Sequence, residues 1–127
     1  RKRFVTVHSR GAVSDVLVTL QKYSVAPVVF HWFTGTCTQL AAVLSAGHFV
    51  SINPAMLNTK TGRMVINECP PHRVLTETDA PYARTGNRAT RPTDVQVVVG
   101  DLSKRWGVSE VNVQARIDAN FKTLLEG

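Results

Sequence analysis

Val74-Leu75-Thr76-Glu77-Thr78-Asp79-Ala80-Pro81-Tyr82 is the stretch that decides how this chain folds. An apolar run of strand length ends in two acids, and a turn follows at once. Two earlier apolar runs end in the same way on histidine: Phe4-Val5-Thr6-Val7-His8 and Val28-Val29-Phe30-His31. Buried apolar strands whose last residue can bind a metal read as one side of an α/β barrel, where chemistry sits at the carboxyl ends of the strands.

Between these strands lie helical patterns. Ser14-Asp15 offers caps near the start of an apolar pattern at Val16, Leu17 and Leu20, which ends near Tyr23. Thr36 reads as the N-cap of a helix through Leu40, Ala41 and Leu44 that stops at Gly47. His48 to Ile52 is a third strand, broken by Asn53-Pro54. Asn58 to Gly62 is expected to loop, Arg63 to Cys69 to form a short helix ended by Pro70-Pro71, and Val74 to Glu77 to form the fourth strand. Ala83 to Thr93 is polar, rich in Arg and without periodicity, and long loops of this kind are functional or mobile. Two helices close the chain, about Thr93 to Trp106 and about Ser109 to Leu125, with Ser109 as N-cap and Gly107 between them. The order β-α-β-α-β-α-β-α-α predicts a parallel sheet with right-handed crossovers.

The chain has 127 residues, whereas a complete barrel takes roughly 200 or more. The expected fold class is therefore α/β: half of a TIM (β/α)8 barrel, its parallel strands alternating with helices, or a smaller open sheet. The opening Arg1-Lys2-Arg3, in place of Met, fits a segment of a longer protein. A formal charge of +6 and a pI near 9.9 admit a polyanionic partner, or simply a basic surface. No apolar run approaches the roughly 18 residues of a membrane span, and no secretory signal is visible. Cys37 and Cys69 stand apart without metal-type spacing and read as buried thiols of a reducing compartment, so a cytoplasmic location is expected.

In a parallel sheet the ends carrying His8, His31 and Asp79 share one rim. Two imidazoles and a carboxylate suit a divalent ion, Zn or Mn or less naturally Mg, with an open position for water. Each of the three has a structural alternative, since a histidine at a strand end usually finds some partner. Glu77, two residues before Asp79, points to the same face of an extended strand. It could ligate, orient water, hydrogen-bond a ligand histidine, or serve as a buried structural carboxylate. Arg10 could grip a phosphate bidentately or be an ordinary surface Arg. Trp32 and Phe33 could stack a base or pack over a barrel rim. Arg84, Arg88 and Arg91 could meet a phosphate backbone or solubilise a loop.

His8-Ser9-Arg10, His31-Trp32-Phe33-Thr34-Gly35, Gly47 before a strand, Leu75 to Tyr82, and Asn120 four residues before Leu124 occur in the order seen in the TatD family. The chain thus resembles the C-terminal half of these metal-dependent deoxyribonucleases on a TIM barrel. The resemblance implies that His8, His31 and Asp79 are metal ligands, with Asp79 also catalytic. It implies two divalent ions (Mg, Mn or Zn) in a complete protein, acting on single-stranded DNA or DNA with free ends. It further implies a partner for this half, either the N-terminal half of the barrel or another chain. The family's initial His-x-His pair and bridging Glu do not lie in this sequence. The loop Gly86-Asn87-Arg88-Ala89-Thr90-Arg91-Pro92 also stands where many relatives carry Arg-Asn-Glu-Pro. Trp32 and Ser51-Ile52-Asn53-Pro54-Ala55-Met56 are similar to the TatD-like nucleases of anti-phage gene clusters called Qat. From Asn120 a structural hydrogen bond is expected. Two further classes stay open: a non-catalytic paralogue that binds nucleic acid or a protein, and an amidohydrolase-like enzyme for a small molecule.

Overall fold

A computed structural model describes residues 3–127; Arg1 and Lys2, of the basic opening, lie outside the described residues. Four strands form one parallel sheet in the order β1 (Thr6–His8), β2 (Val29–His31), β3 (Phe49–Ile52) and β4 (Val74–Thr76). Helices α1 (Val13–Lys22), α2 (Cys37–Ser45) and α3 (Lys60–Glu68) make the crossovers. After β4 come a small antiparallel hairpin, β5 (Arg84–Thr85) with β6 (Arg88–Ala89), and then α4 (Val95–Trp106) and α5 (Glu110–Glu126). The expected half-barrel alternation is present. No helix among the described residues is long and apolar enough to cross a membrane.

The sheet forms where it does because Val28, Val29, Phe30, Phe49, Val50, Ile52 and Val74 are all buried in one core with Leu40, Val43 and Val65 from the helices. Its first strand differs. Phe4 and Val5 stay 47% and 46% exposed, so the β1 edge presents apolar side chains and unpaired backbone to solvent. Deeper in the sheet, the Nδ1 of buried His48 accepts the Val28 backbone N–H at 3.2 Å. Burial and the nearby Arg73 both hold His48 below the usual imidazole range. Of the two thiols expected to be buried, Cys69 is, and burial pushes it up to about 12, whereas Cys37 opens the first turn of α2 and is exposed.

Several boundaries match the sequence signals. Thr36 and Gln39 form a capping box, with the Thr36 hydroxyl accepting from Gln39 N at 3.1 Å and Gln39 Oε1 accepting from Thr36 N at 3.0 Å. Ser109 caps α5, and Gly107 ends α4 in the left-handed region. Others shift. Ser14 and Asp15 lie inside the first turn of α1, where Asp15 suits the helix dipole, and Ala12 holds the N-cap place. The segment expected to loop opens α3 instead, because Thr59 accepts the Gly62 N–H at 3.0 Å and starts the helix at Lys60. The Arg-rich loop folds back on itself at Gly86 (φ 62°). Glu77 continues the β4 ladder by donating its N–H to Ile52 O at 2.9 Å.

Asn120 has the structural role expected of it. Its Nδ2 donates to the Pro71 and Val74 carbonyls, each at 2.7 Å, and so fastens α5 to the start of β4. Fixed there, α5 packs against β4 and the turn before it. Phe121 and Ile117 join Val29, Ser51 and Leu75 around a cavity of about 280 Å³ that also reaches His31 and Glu77.

Candidate metal centre on the carboxyl rim

The parallel register places His8 directly opposite His31, and His31 opposite Ser51. The two imidazole rings lie 5.9 Å apart between centroids. Asp79 follows the end of β4, two strands from His31 in the sheet, and its Oδ1 comes within 3.5 Å of His31 Nε2. Two of the three expected ligands therefore face each other, and the third stands beside them on the same rim. Among the described residues, no three His, Cys, Asp or Glu side chains gather closely enough to hold an ion on their own. In kind, two imidazoles and a carboxylate would suit a Zn- or Mn-type ion.

Glu77 ties the rim together. Its Oε2 is hydrogen-bonded to His31 Nδ1. Its Oε1 accepts from the Trp32 backbone N–H at 3.1 Å and from Asn53 Nδ2 at 3.2 Å. Burial pushes this carboxyl up, against the pull of His31 and the Asn53 donor. The geometry contains a hydrogen bond from Glu77 to the candidate ligand His31, and the same bonds serve a structural carboxylate.

Two residues next to these groups hold unusual backbone. Trp32, just after His31, has φ 44°, and Asp79 has φ 52°. Side chains with a Cβ rarely adopt this region, and such residues concentrate at functional sites. The left-handed turn at Asp79, beyond the end of β4, redirects the chain.

The substrate-contact candidates are spread around this rim. Arg10 is exposed on the loop after His8, and Trp32 is half-buried against the core, as a rim-packing aromatic would be. Phe33 is buried. Arg88 is exposed but held by two bonds to Asp94, at 2.7 and 2.8 Å, which steady the hairpin against the start of α4. That guanidinium keeps the Asp94 carboxyl well below the usual carboxylate range. Arg91 is exposed, and Arg84 reaches back to the Asn87 carbonyl within the hairpin. Asn53 was not a site candidate from sequence, where it reads only as a strand breaker. Period-two alternation from Ser51 was the available signal, since it sets residue 53 on the same face as Ser51.

A parallel sheet with outer helices, and with imidazoles and carboxylates on its carboxyl rim, is half of a (β/α)8 barrel whose chemistry belongs at that rim. The chain belongs to the family described as TatD related DNase, whose sequence profile matches residues 2–126. It is 31% identical over 132 residues to the 3'-5' ssDNA/RNA exonuclease TatD of Pantoea vagans, covering 94% of this chain and 51% of that protein. It is 33% identical over 79 residues to the deoxyribonuclease Tat-D of Schizosaccharomyces pombe, covering 60% of this chain and 25% of that one. The crystal structure of a TatD homologue from Escherichia coli K12 superposes with a TM-score of 0.80 at 23% identity, over 97% of this chain and 50% of the other. A TatD family hydrolase from Entamoeba histolytica gives the same TM-score at 17% identity, over 94% and 50%. At such identities the two structures speak to the fold. The chain spans about half the length of the Pantoea relative and of both solved structures.

Proposed function

We propose that this chain is half of a divalent-metal-dependent nuclease whose complete form hydrolyses phosphodiester bonds of DNA, and that the 127-residue half alone is inactive. The observation that carries the reading is the meeting of His31 Nε2 and Asp79 Oδ1 at 3.5 Å on the carboxyl rim, with the His8 ring next to His31. His8 and His31 would give nitrogen to an ion and Asp79 oxygen, a mixed set that favours Mn or Zn over Mg. A bound ion would supply Lewis acidity to water and to the phosphodiester. Asp79 would also orient the attacking water. Arg10 and the arginines of the β5–β6 hairpin would meet phosphates, and Trp32 would flank a base. A second ion requires donors beyond these three. They would come from the other half of a barrel, in the same polypeptide or in another chain.

The activities named for the Pantoea and Schizosaccharomyces relatives support DNA as the substrate, with single strands or free ends as its preferred form. The free thiols of Cys37 and Cys69 support a cytoplasmic setting. The resemblance to Qat nucleases extends the proposal to anti-phage defence, which plaque counts on cells carrying and lacking the gene would test.

The decisive experiment is Asp79→Asn in the complete form, in a cleavage assay on single-stranded DNA with Mg or Mn, paired with circular dichroism. Asn is nearly isosteric but uncharged, so cleavage should fall below detection while the spectrum stays native. Undiminished cleavage by a folded Asp79→Asn protein would place the site elsewhere.

A further inference from the structure

The polar groups beneath His31 form a chain with a fixed direction. It starts at a backbone N–H, which can only donate. Met56 N donates to Asn53 Oδ1 at 3.1 Å. That bond decides which way the Asn53 amide faces, because its NH2 end would clash with another donor. Asn53 Nδ2 is thereby aimed at Glu77 Oε1, at 3.2 Å, where the Trp32 N–H also donates. With Oε1 doubly occupied, Oε2 is left for His31 Nδ1. An ionised carboxylate only accepts, and Glu77 Oε2 is nearer to His31 than Asp79 Oδ1 is, so with Glu77 ionised the proton of a neutral His31 goes to Nδ1. The lone pair is then on Nε2, the nitrogen that faces Asp79.

We propose that Asn53 and Glu77 are positioning residues that lock His31 in the Nδ1–H tautomer and present its Nε2 lone pair to the rim. The same carboxylate holds the Trp32 backbone in its left-handed conformation, so the orientation of His31 and the course of the Trp32 loop are set by one group. The lock reaches across the sheet. It is anchored in the single turn of 3-10 helix after β3 (Pro54–Asn58), passes to the end of β4, and acts on the end of β2. Asn53 is fully buried, with both ends of its amide engaged, as an orienting group must be. The ion-binding consequence rests on the proposed function; the tautomer itself does not.

Glu77→Gln separates these roles. A glutamine can still accept the Trp32 and Asn53 donors on Oε1, but it then offers an NH2 to His31. The imidazole must answer with its lone pair on Nδ1 and its proton on Nε2. Asn53→Ala removes the anchor and lets the carboxylate rotate. Long-range proton–nitrogen correlation spectra of histidine-labelled protein, recorded above the imidazole titration range (about 6.5), read the tautomer directly. Wild type should show His31 with Nδ1 protonated, Glu77→Gln should show the reverse, and Asn53→Ala a mixture. Titration with Mn or Zn alone should then show an affinity about 10- to 100-fold weaker in Glu77→Gln.

If wild-type His31 carries its proton on Nε2, the proposal fails even without a folded variant. If Glu77→Gln folds and keeps the wild-type tautomer, it fails as well. A tautomer that switches as expected in a protein that binds no ion at His31 would uphold the lock and overturn the metal-centre reading instead.

Discussion

Replacing Gly62 with alanine should destabilise this protein, although alanine is the better helix former. Gly62 lies in α3, where the exchange would ordinarily gain about 1 kcal/mol. Here a Cβ would stand 2.0 Å from the Met56 carbonyl oxygen and 2.6 Å from the Met56 carbonyl carbon and Cα. These are backbone atoms and cannot rotate aside. An ordinary contact needs roughly 3.5 Å, so the helix and the 3-10 turn would have to part by on the order of 1 Å. Forcing such a shift in a close-packed interior costs about 1–3 kcal/mol, and two rigid backbones meeting head-on belong at the upper end. After the propensity gain, the net loss is about 2 kcal/mol. For a domain of this size that lowers the melting temperature by about 6–10 °C. Gly100→Ala in α4 is the control, because its Cβ would meet only the Glu110 carboxylate end, at 3.2 Å. That flexible group can move, so this variant should gain up to about 1 kcal/mol. Guanidinium unfolding followed by far-ultraviolet circular dichroism measures both. The two variants should move in opposite directions, and a Gly62→Ala protein as stable as wild type would refute the close approach. Met56 also supplies the N–H that orients Asn53, so the same substitution should blur the His31 tautomer.

Two further outcomes follow from buried polar groups. The unfolded chain takes up a proton on His48 near pH 6.5, and the folded chain resists it; stability should therefore be full above that pH and decline as pH falls through it. Denaturant midpoints on either side of about pH 6 should show a slope that shrinks in His48→Asn, which keeps an acceptor for Val28 N without a titrating ring; an unchanged slope would count against His48 as its source. Asn120→Ala strips the Pro71 and Val74 carbonyls of a shared donor and should cost about 2–4 kcal/mol, read as a drop in melting temperature. If Asn120→Ala melts with wild type, α5 is not fastened by this amide.

The sheet was legible because each strand is an apolar run and three of the four lead into a histidine or a carboxylate, and both features are local. The starts of α2 and α5 were legible for the same reason, since Thr36 and Ser109 act on donors three residues away. The first turn of α3 was not. Lys60-Thr61-Gly62 carries no apolar periodicity, and Gly62 is there because of a neighbour six residues back that helical patterning does not register. The hairpin at Arg84–Ala89 escaped because its two-residue strands are too short for alternation to appear. Asn53 escaped because its visible effect, ending β3, hides its contact with β4.

Glu77 is where local and tertiary information part most clearly. From sequence it could ligate, orient, bond a histidine or do nothing but fill space, since all four roles ask only for a carboxylate facing the rim. Folding alone argues against a charge there, because burial raises its pKa and so favours the protonated form. Its contribution to stability is full at low pH and is lost as pH rises through the folded value. A group that weakens the fold at neutral pH calls for another reason to be present. The same rim holds two non-glycine residues with positive φ, Trp32 and Asp79; the third among the described residues, Ser24, serves only to close α1. A half-buried carboxyl with a raised pKa and two strained backbones within one short arc are what a site built for chemistry tolerates and a packing layer does not. The donors around Glu77 come from β2 and from the turn after β3, so the carboxylate holds three strand ends in one arrangement. This is how a rim made of separate loops can keep an imidazole nitrogen aimed at Asp79.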